Sequence, residues 1–419
     1  MIDRCLWTEP ESSEFPATGL PGTTDVAVVG AGYTGLSAAR ALARHGLAVT
    51  VLERHRVGWG ASGRNGGFVL PGFKVGVEQL RRRYGLERSR ALFAASLEAL
   101  DLLERIIAEE AIDCAYTRCG TVVLAGRPAH FRELERTQRL LSQSFGQETT
   151  LLSPGELQEE IGSTAYHGGL LDPAAGGLHP ARYCAGLARA ARRAGATIVE
   201  QVEVLGVVRA AGRMLLMTSR GSLSAGQVLV ATNGYTDAAF PGLRRRVVPV
   251  GSYVIATAPL EPSLARVILP KGRVMSDTWN LLHYFRLSPD GRLVFGGRAS
   301  FTPIGVERSA RIMARAMRRV FPQLGTAPVE YAWKGNICVS RDRMPHAGRL
   351  DGLHYALGYA GHGVALATWL GARMGDVLAG RRAVPALTGD HPPPIPLYGG
   401  KPWFLPVVGA YYRMRDWLG

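Results

Sequence analysis

Asp25-Val26-Ala27-Val28-Val29 is a short apolar run, too rich in β-branched residues for a good helix, and it stops on a glycine. Gly30-Ala31-Gly32-Tyr33-Thr34-Gly35 then opens a helical stretch from about Tyr33 to His45. Leu36, Ala39 and Leu42 share one face of it, and Gly46 closes it as a C′ glycine does. Ala48 to Glu53 reads as a second strand, and so short a connection demands a parallel, right-handed crossover. Strand, GxGxxG, helix and a second strand ending in an acid, eighteen residues after the last glycine, make a mononucleotide-binding unit. Gly30 permits the tight turn, Gly32 lets the backbone approach a pyrophosphate, and Gly35 lets helix and strand pack closely. The helix N-terminus attracts the anion, with Tyr33 and Thr34 in its first turn. Glu53 accepts from ribose hydroxyls and repels a 2′-phosphate; Arg54 beside it belongs to the same surface.

Composition places this unit in a larger globular protein. The chain has 419 residues, enough for two linked domains, and 47% of them are hydrophobic against 20% charged. The opening MIDRCLWTEPESSEF has no apolar core of a signal peptide, and no later stretch stays apolar long enough to span a bilayer, so a cytoplasmic location is expected. The five cysteines, Cys5, Cys114, Cys119, Cys184 and Cys338, are scattered without a CxxC, which suggests neither a disulfide framework nor a metal site. The net charge of +15 comes from 45 Arg and 4 Lys. The clusters Arg81-Arg82-Arg83, Arg244-Arg245-Arg246 and Arg318-Arg319 do not interleave with aromatics, so they read as solvated faces and no specific nucleic-acid partner is expected.

Three further segments lengthen the nucleotide-binding surface. Gly58-Trp59-Gly60-Ala61-Ser62-Gly63-Arg64-Asn65-Gly66-Gly67 is suited to lying along a pyrophosphate and a flavin edge with its backbone donors; Gly60, Ala61, Ser62, Arg64, Asn65, Gly66 and Gly67 are the expected contacts. Val230-Ala231-Thr232-Asn233-Gly234 ends a strand in a tight turn, with Ala231, Thr232 and Gly234 at the cofactor. The strand starting at Val204 leads back to the same region. Gly358-Tyr359-Ala360-Gly361-His362-Gly363 precedes the last long helix, whose first amides, near Gly363 and Val364, can stabilise charge at flavin N1 and O2. So long a surface points to FAD rather than NAD.

VVGAGYTGLSAA, VGWGASGRNGG, Trp333-Lys334-Gly335 and GYAGHGVALAT together resemble the FAD-dependent D-amino acid oxidase family, in its γ-glutamylputrescine oxidoreductase branch. The similarity extends to the ending Tyr411-Tyr412-Arg413-Met414-Arg415-Asp416. It implies an α/β flavoenzyme: a Rossmann-type FAD-binding domain with a second, α+β substrate domain built on an antiparallel sheet. It also implies an amine as the small-molecule substrate. Hydride passes to flavin N5, the imine hydrolyses, and oxygen or an electron carrier takes the electrons. A demethylase or dehydrogenase using a carrier, and an RNA-associated flavoprotein, are the competing readings. Some relatives tether flavin through a cysteine. Cys338, counted back from Asp342, lies about three residues too close, with Gly335 in the expected place, so noncovalent FAD is expected.

The remaining elements fix the domain expectation. Val77 to Tyr84, Ser89 to Glu110 and Pro128 to Ser144 read as helices, and 247–300 as an antiparallel sheet with the substrate pocket on it. The expected FAD-binding part is 1–75, 148–240 and 336–384, and the substrate part 76–147 and 241–335. Residues 385–419 form a tail ending in a short helix. Pocket candidates are Tyr253, His283, Tyr284, Arg286, Arg298 and Trp333, with His362 from the last glycine loop. Aromatics can cage an amine and keep it neutral. Arg286, two residues from Tyr284 on one strand face, could hold a substrate carboxylate.

Overall fold

The computed structural model describes residues 2–8, 15, 18–297, 304–385, 387 and 391–418. Two large sheets organise them. In the first, Leu353–Leu357, Gly221–Val230, Thr23–Val29, Val49–Leu52 and Thr197–Val199 lie side by side and parallel. Strands Arg213–Thr218, Val204–Ala210 and His346–Leu350 extend this sheet to eight. Val26, Val28 and Val51 point from it into a core completed by the helices Tyr33–Arg44, Leu86–Glu109, Pro180–Arg193 and Gly363–Leu378.

The Tyr33–Arg44 and Gly363–Leu378 helices approach to backbone distance. A Cβ on Gly371 would lie 2.2 Å from the Thr34 carbonyl oxygen. Ser37 Oγ donates to the Thr368 carbonyl at 2.7 Å across the same seam. Gly35 meets the expectation for its position, because a Cβ there would fall 1.9 Å from Gly30 O.

The second sheet has nine strands and is mixed. Its order is Ile2–Asp3, Val329–Ser340, Val247–Pro259, Arg292–Gly297, His283–Leu287, Val274–Asp277, Thr121–Leu124, Gly169–Asp172 and Thr150–Leu152. Antiparallel pairs dominate it, but Thr121–Leu124 runs parallel to Val274–Asp277. One face carries Ile255, Phe285 and Phe295 against Ala310, Met313 and Met317 of the Val306–Val320 helix, whose arginines turn outward. The opposite face looks toward the nucleotide-binding part.

The domain limits differ from expectation in two places. Thr150–Leu152 and Gly169–Asp172, expected in the FAD-binding part, hydrogen-bond into the nine-stranded sheet through Thr121–Leu124. That four-residue strand lies between two segments read as helices, Ser89 to Glu110 and Pro128 to Ser144. Val329–Ser340 crosses the expected boundary at 335: Ala332 pairs within the large sheet, while Cys338 reaches the nucleotide channel. Among the described residues no helix is long and apolar enough to cross a membrane, and no cluster of three or more His, Cys, Asp or Glu could hold a metal.

Candidate active site

The Thr23–Val29 strand, the glycine turn and the Tyr33–Arg44 helix open onto a cavity of about 180 Å³. Glu53, Arg54, His55, Val202 and Val204 line it together with Gly30, Gly32, Thr34 and Ser62 and with Ala61, Asn65, Tyr359, Gly361, Gly363 and Val364. Glu53 is set in place by the loop it follows: Oε2 accepts from Ala31 N at 2.9 Å and Oε1 from His55 N at 2.9 Å. Burial raises its pKa, while those two amides and Arg54 oppose the rise. Each oxygen keeps a lone pair for a ribose hydroxyl. Gly32 has no room for a side chain, because its Cβ would lie 2.7 Å from Ser62 Oγ, which caps Tyr33 N at 3.0 Å.

A cavity lined by a buried acid, by glycine amides at one helix start and by a second helix start fits a dinucleotide with a flavin. Of the expected cofactor residues, Tyr33, Gly60, Ala231 and Thr232 also line it. Arg64 and Gly66 belong to the neighbouring cavity instead. Gly35, Gly67, Gly234 and Gly358 line neither and act behind the wall. A Cβ on Gly67 would meet Leu178 O at 2.1 Å and one on Gly234 Asn336 O at 2.7 Å, while Gly358 N donates to Asn233 Oδ1 at 3.0 Å. Sequence reasoning missed Tyr235 and Tyr359. Tyr235 OH accepts from Asn336 N at 3.1 Å, and Tyr359 OH shares a 2.7 Å hydrogen bond with Thr34 Oγ1. Cys338 also lines the channel, but burial pushes its thiol up to about 12, so it offers no thiolate for a tether.

A second cavity, of about 440 Å³, adjoins the first. Ala61, Asn65, Ile337, Gly361 and Val364 form the common wall. Phe68, Leu70, Phe73, Val75 and Phe93 make it largely apolar. Its polar groups include Arg64, Lys74, Asp172, Asp277, Thr121, Thr137, Thr149, Ser252, Ser276, Tyr284 and His362. Tyr284 OH and Ser252 Oγ are 3.2 Å apart. Asp172 Oδ1 accepts from Gln147 Nε2 at 2.8 Å and Ala174 N at 3.0 Å, and burial raises its pKa. His362 sits at the start of the Gly363–Leu378 helix, its Nδ1 buried without a hydrogen-bond partner, and burial pushes the imidazole down to about 3.

Of the expected pocket residues, then, Tyr284 and His362 lie on this wall and four other described ones do not. Tyr253 is one residue out of phase: it faces the Val306–Val320 helix, its OH accepting from Ile304 N at 3.2 Å, and Ser252 takes the cavity side. Trp333 is fully buried, edge-on to Trp7, and donates Nε1–H to Arg64 O at 2.8 Å, fixing the glycine loop from behind. Arg286 shares the face of Tyr284 but lies under the loop. Its NH1 donates to Gly67 O at 3.1 Å and Leu178 O at 2.9 Å, and its Nε to Leu287 O at 3.1 Å. It lines neither cavity. His283 pairs with buried Asp277 at 3.0 Å, and Arg298 lies outside the described residues.

A model of the FAD dependent oxidoreductase (DAO) family matches residues 25–377. The γ-glutamylputrescine oxidoreductase of Escherichia coli is 34% identical over 410 residues, which cover 95% of this chain and 94% of that protein. The Haemophilus influenzae protein named "Probable oxidoreductase OrdL" is 36% identical over 383 residues, 90% of this chain and 86% of that one. Among solved structures, glycine oxidase from Geobacillus kaustophilus superposes with a TM-score of 0.73 at 22% identity, covering 88% of this chain and 98% of that one.

Proposed function

The chain belongs to the FAD dependent oxidoreductase (DAO) family, and from that premise we propose that it oxidises the C–N bond of an amine. The substrate class is a γ-glutamylated polyamine, an amino acid or a related amine. The observation that carries this reading is the apolar second cavity sharing a wall with the FAD channel. The printed activity of the Escherichia coli relative agrees with it. FAD, held noncovalently, supplies a two-electron acceptor when bound.

The protein's own residues prepare the amine. Phe68, Leu70, Phe73 and Phe93 exclude water, and desolvation disfavours the ammonium form, so the substrate is held as the neutral amine whose lone pair assists hydride loss. His362, kept uncharged by burial, adds no cation that would repel residual ammonium, and its unpartnered Nδ1 can accept an N–H. Tyr284 and Ser252 brace each other across the sheet face. Asp172 gives the cavity a carboxylate for a second cationic group on the substrate. The imine leaves to be hydrolysed, and oxygen or an electron carrier takes the electrons.

Anaerobic mixing of the yellow holoprotein with a panel of mono-, di- and γ-glutamylated amines and amino acids tests this. An amine of the class should bleach the flavin band within the mixing experiment, and readmitted air or an added carrier should restore it. If no amine bleaches the band while dithionite does, the amine reading fails and the family assignment stands.

A further inference from the structure

The Leu405–Leu418 helix is two-faced in a way the catalytic site does not use. At 100° per residue, Leu405, Val408, Tyr412 and Asp416 fall on one side. There the first three pack with Val248, Val250 and Tyr398. Asp416 accepts from Asn280 N at 3.0 Å, Asn280 Nδ2 at 2.7 Å and Leu281 N at 3.0 Å. On the other side, Val407, Tyr411, Met414 and Trp417 form one stripe, continued by Trp403 just ahead of the helix. Trp403 is 61% exposed, Val407 69% and Trp417 81%. The adjoining loop adds Leu397, 88% exposed. A contiguous patch of large apolar side chains held in water by a docked helix calls for an occupant.

Charge selects it. By the same angular count Arg413 and Arg415 flank the stripe, one on each side, and exposed Lys401 stands at its N-terminal end. Asp416, the only acid between 391 and 418, is turned inward. A second copy docked on this stripe would set basic rims against basic rims, in a molecule of net charge +15. An anionic bilayer surface meets both features at once: Trp and Tyr settle at headgroup depth, Val407, Met414 and Leu397 enter the acyl boundary, and the arginines reach lipid phosphates. We propose that the stripe of Trp403, Val407, Tyr411, Met414 and Trp417, with Arg413 and Arg415 beside it, docks the protein peripherally on anionic lipid membranes. This inference is independent of the amine reading. Asp416 also ties this helix to the segment at 280–281, next to Leu282 of the second cavity.

The holoprotein is co-sedimented with vesicles of phosphatidylglycerol and phosphatidylcholine in equal parts, and with phosphatidylcholine alone. It should partition to the anionic vesicles, less so as salt rises, and tryptophan emission of the native protein should shift to the blue on binding. Val407→Ser with Trp417→Ser should weaken partitioning about tenfold or more, given the apolar surface removed. Arg413→Gln with Arg415→Gln should narrow the difference between anionic and neutral vesicles, and FAD content and turnover should stay at the native level in both. The proposal is overturned if the native protein neither sediments with anionic vesicles nor shifts its emission. It is equally overturned if the Val407/Trp417 variant, carrying full FAD, binds as the native does, or if light scattering gives a dimer that this variant reduces to a monomer.

Discussion

At Gly32 and Gly35 the space a side chain would need is already filled, by Ser62 Oγ at 2.7 Å and Gly30 O at 1.9 Å. Gly32→Val and Gly35→Val should therefore abolish FAD retention, the second by separating helix from strand. Glu53→Ala loses charged hydrogen bonds worth on the order of 1.5–3 kcal/mol and should weaken FAD binding roughly ten- to hundredfold. Titration of apoprotein with FAD checks all three; unchanged binding in every variant would remove the motif from the account. Arg286 makes a contrasting case. Its guanidinium, pushed down to about 10 by burial, ties Gly67 O and Leu178 O to the large sheet. Arg286→Ala removes this donor from Leu178 O and leaves Gly67 O with Leu178 N alone, at a cost of about 1–3 kcal/mol. The urea midpoint should fall, while the ratio of kcat/KM for a carboxylated against an uncarboxylated amine stays near the native value. A selective loss on the carboxylated amine would restore Arg286 to substrate binding. The sequence placed Arg286 and Tyr284 on one face, as observed. It held no sign that the strand end beneath Arg286 is roofed by the loop at Gly67, a contact made across 219 residues.

Elements show why some assignments were legible and others not. The nucleotide unit needs its glycines, helix face and acid in one continuous stretch, so local backbone chemistry spells it out. A strand's alternation is equally plain, but not its parity: Tyr253 and Ser252 are both plausible pocket residues until the Val306–Val320 helix is seen to cover the Tyr253 side. Thr121–Leu124, four residues long, is too short to announce itself between two helices. The Pro180–Arg193 helix carries a pH prediction. Its N-cap is His179, whose Nδ1 accepts from Arg182 N at 3.3 Å and so must be unprotonated. Burial, with Arg182 adding to it, pushes its pKa from 6.5 down to about 4. Between those values the unfolded chain binds the proton and the folded chain does not. Stability from this cap is thus complete above pH 6.5, falls with decreasing pH by up to about 1.4 kcal/mol per unit, and levels off below about 4. His179→Asn keeps a capping acceptor that does not titrate. Its urea midpoint should fall less than the native one from pH 7 to pH 4.5; parallel curves would show that the proton goes elsewhere, His362, His354 and His55 being the other depressed imidazoles.

For the molecule as a whole, the nine-stranded sheet is tied to the glycine loop by Trp333 and Arg286, which were read as pocket residues and prove to be ties, while its Val329–Ser340 strand reaches the nucleotide channel at Cys338. Conserving the distance between channel and cavity depends on those ties, since the glycine loop between them is held from both sides. The common wall of Ala61, Asn65, Ile337, Gly361 and Val364 has a thermodynamic consequence. Any coupling carried by that partition is reciprocal: whatever factor bound cofactor adds to the affinity for a ligand in the second cavity, that ligand returns to the affinity for cofactor. A ligand of the second cavity that binds more tightly once the cofactor is in place therefore also slows loss of the flavin, and one that binds less tightly hastens it.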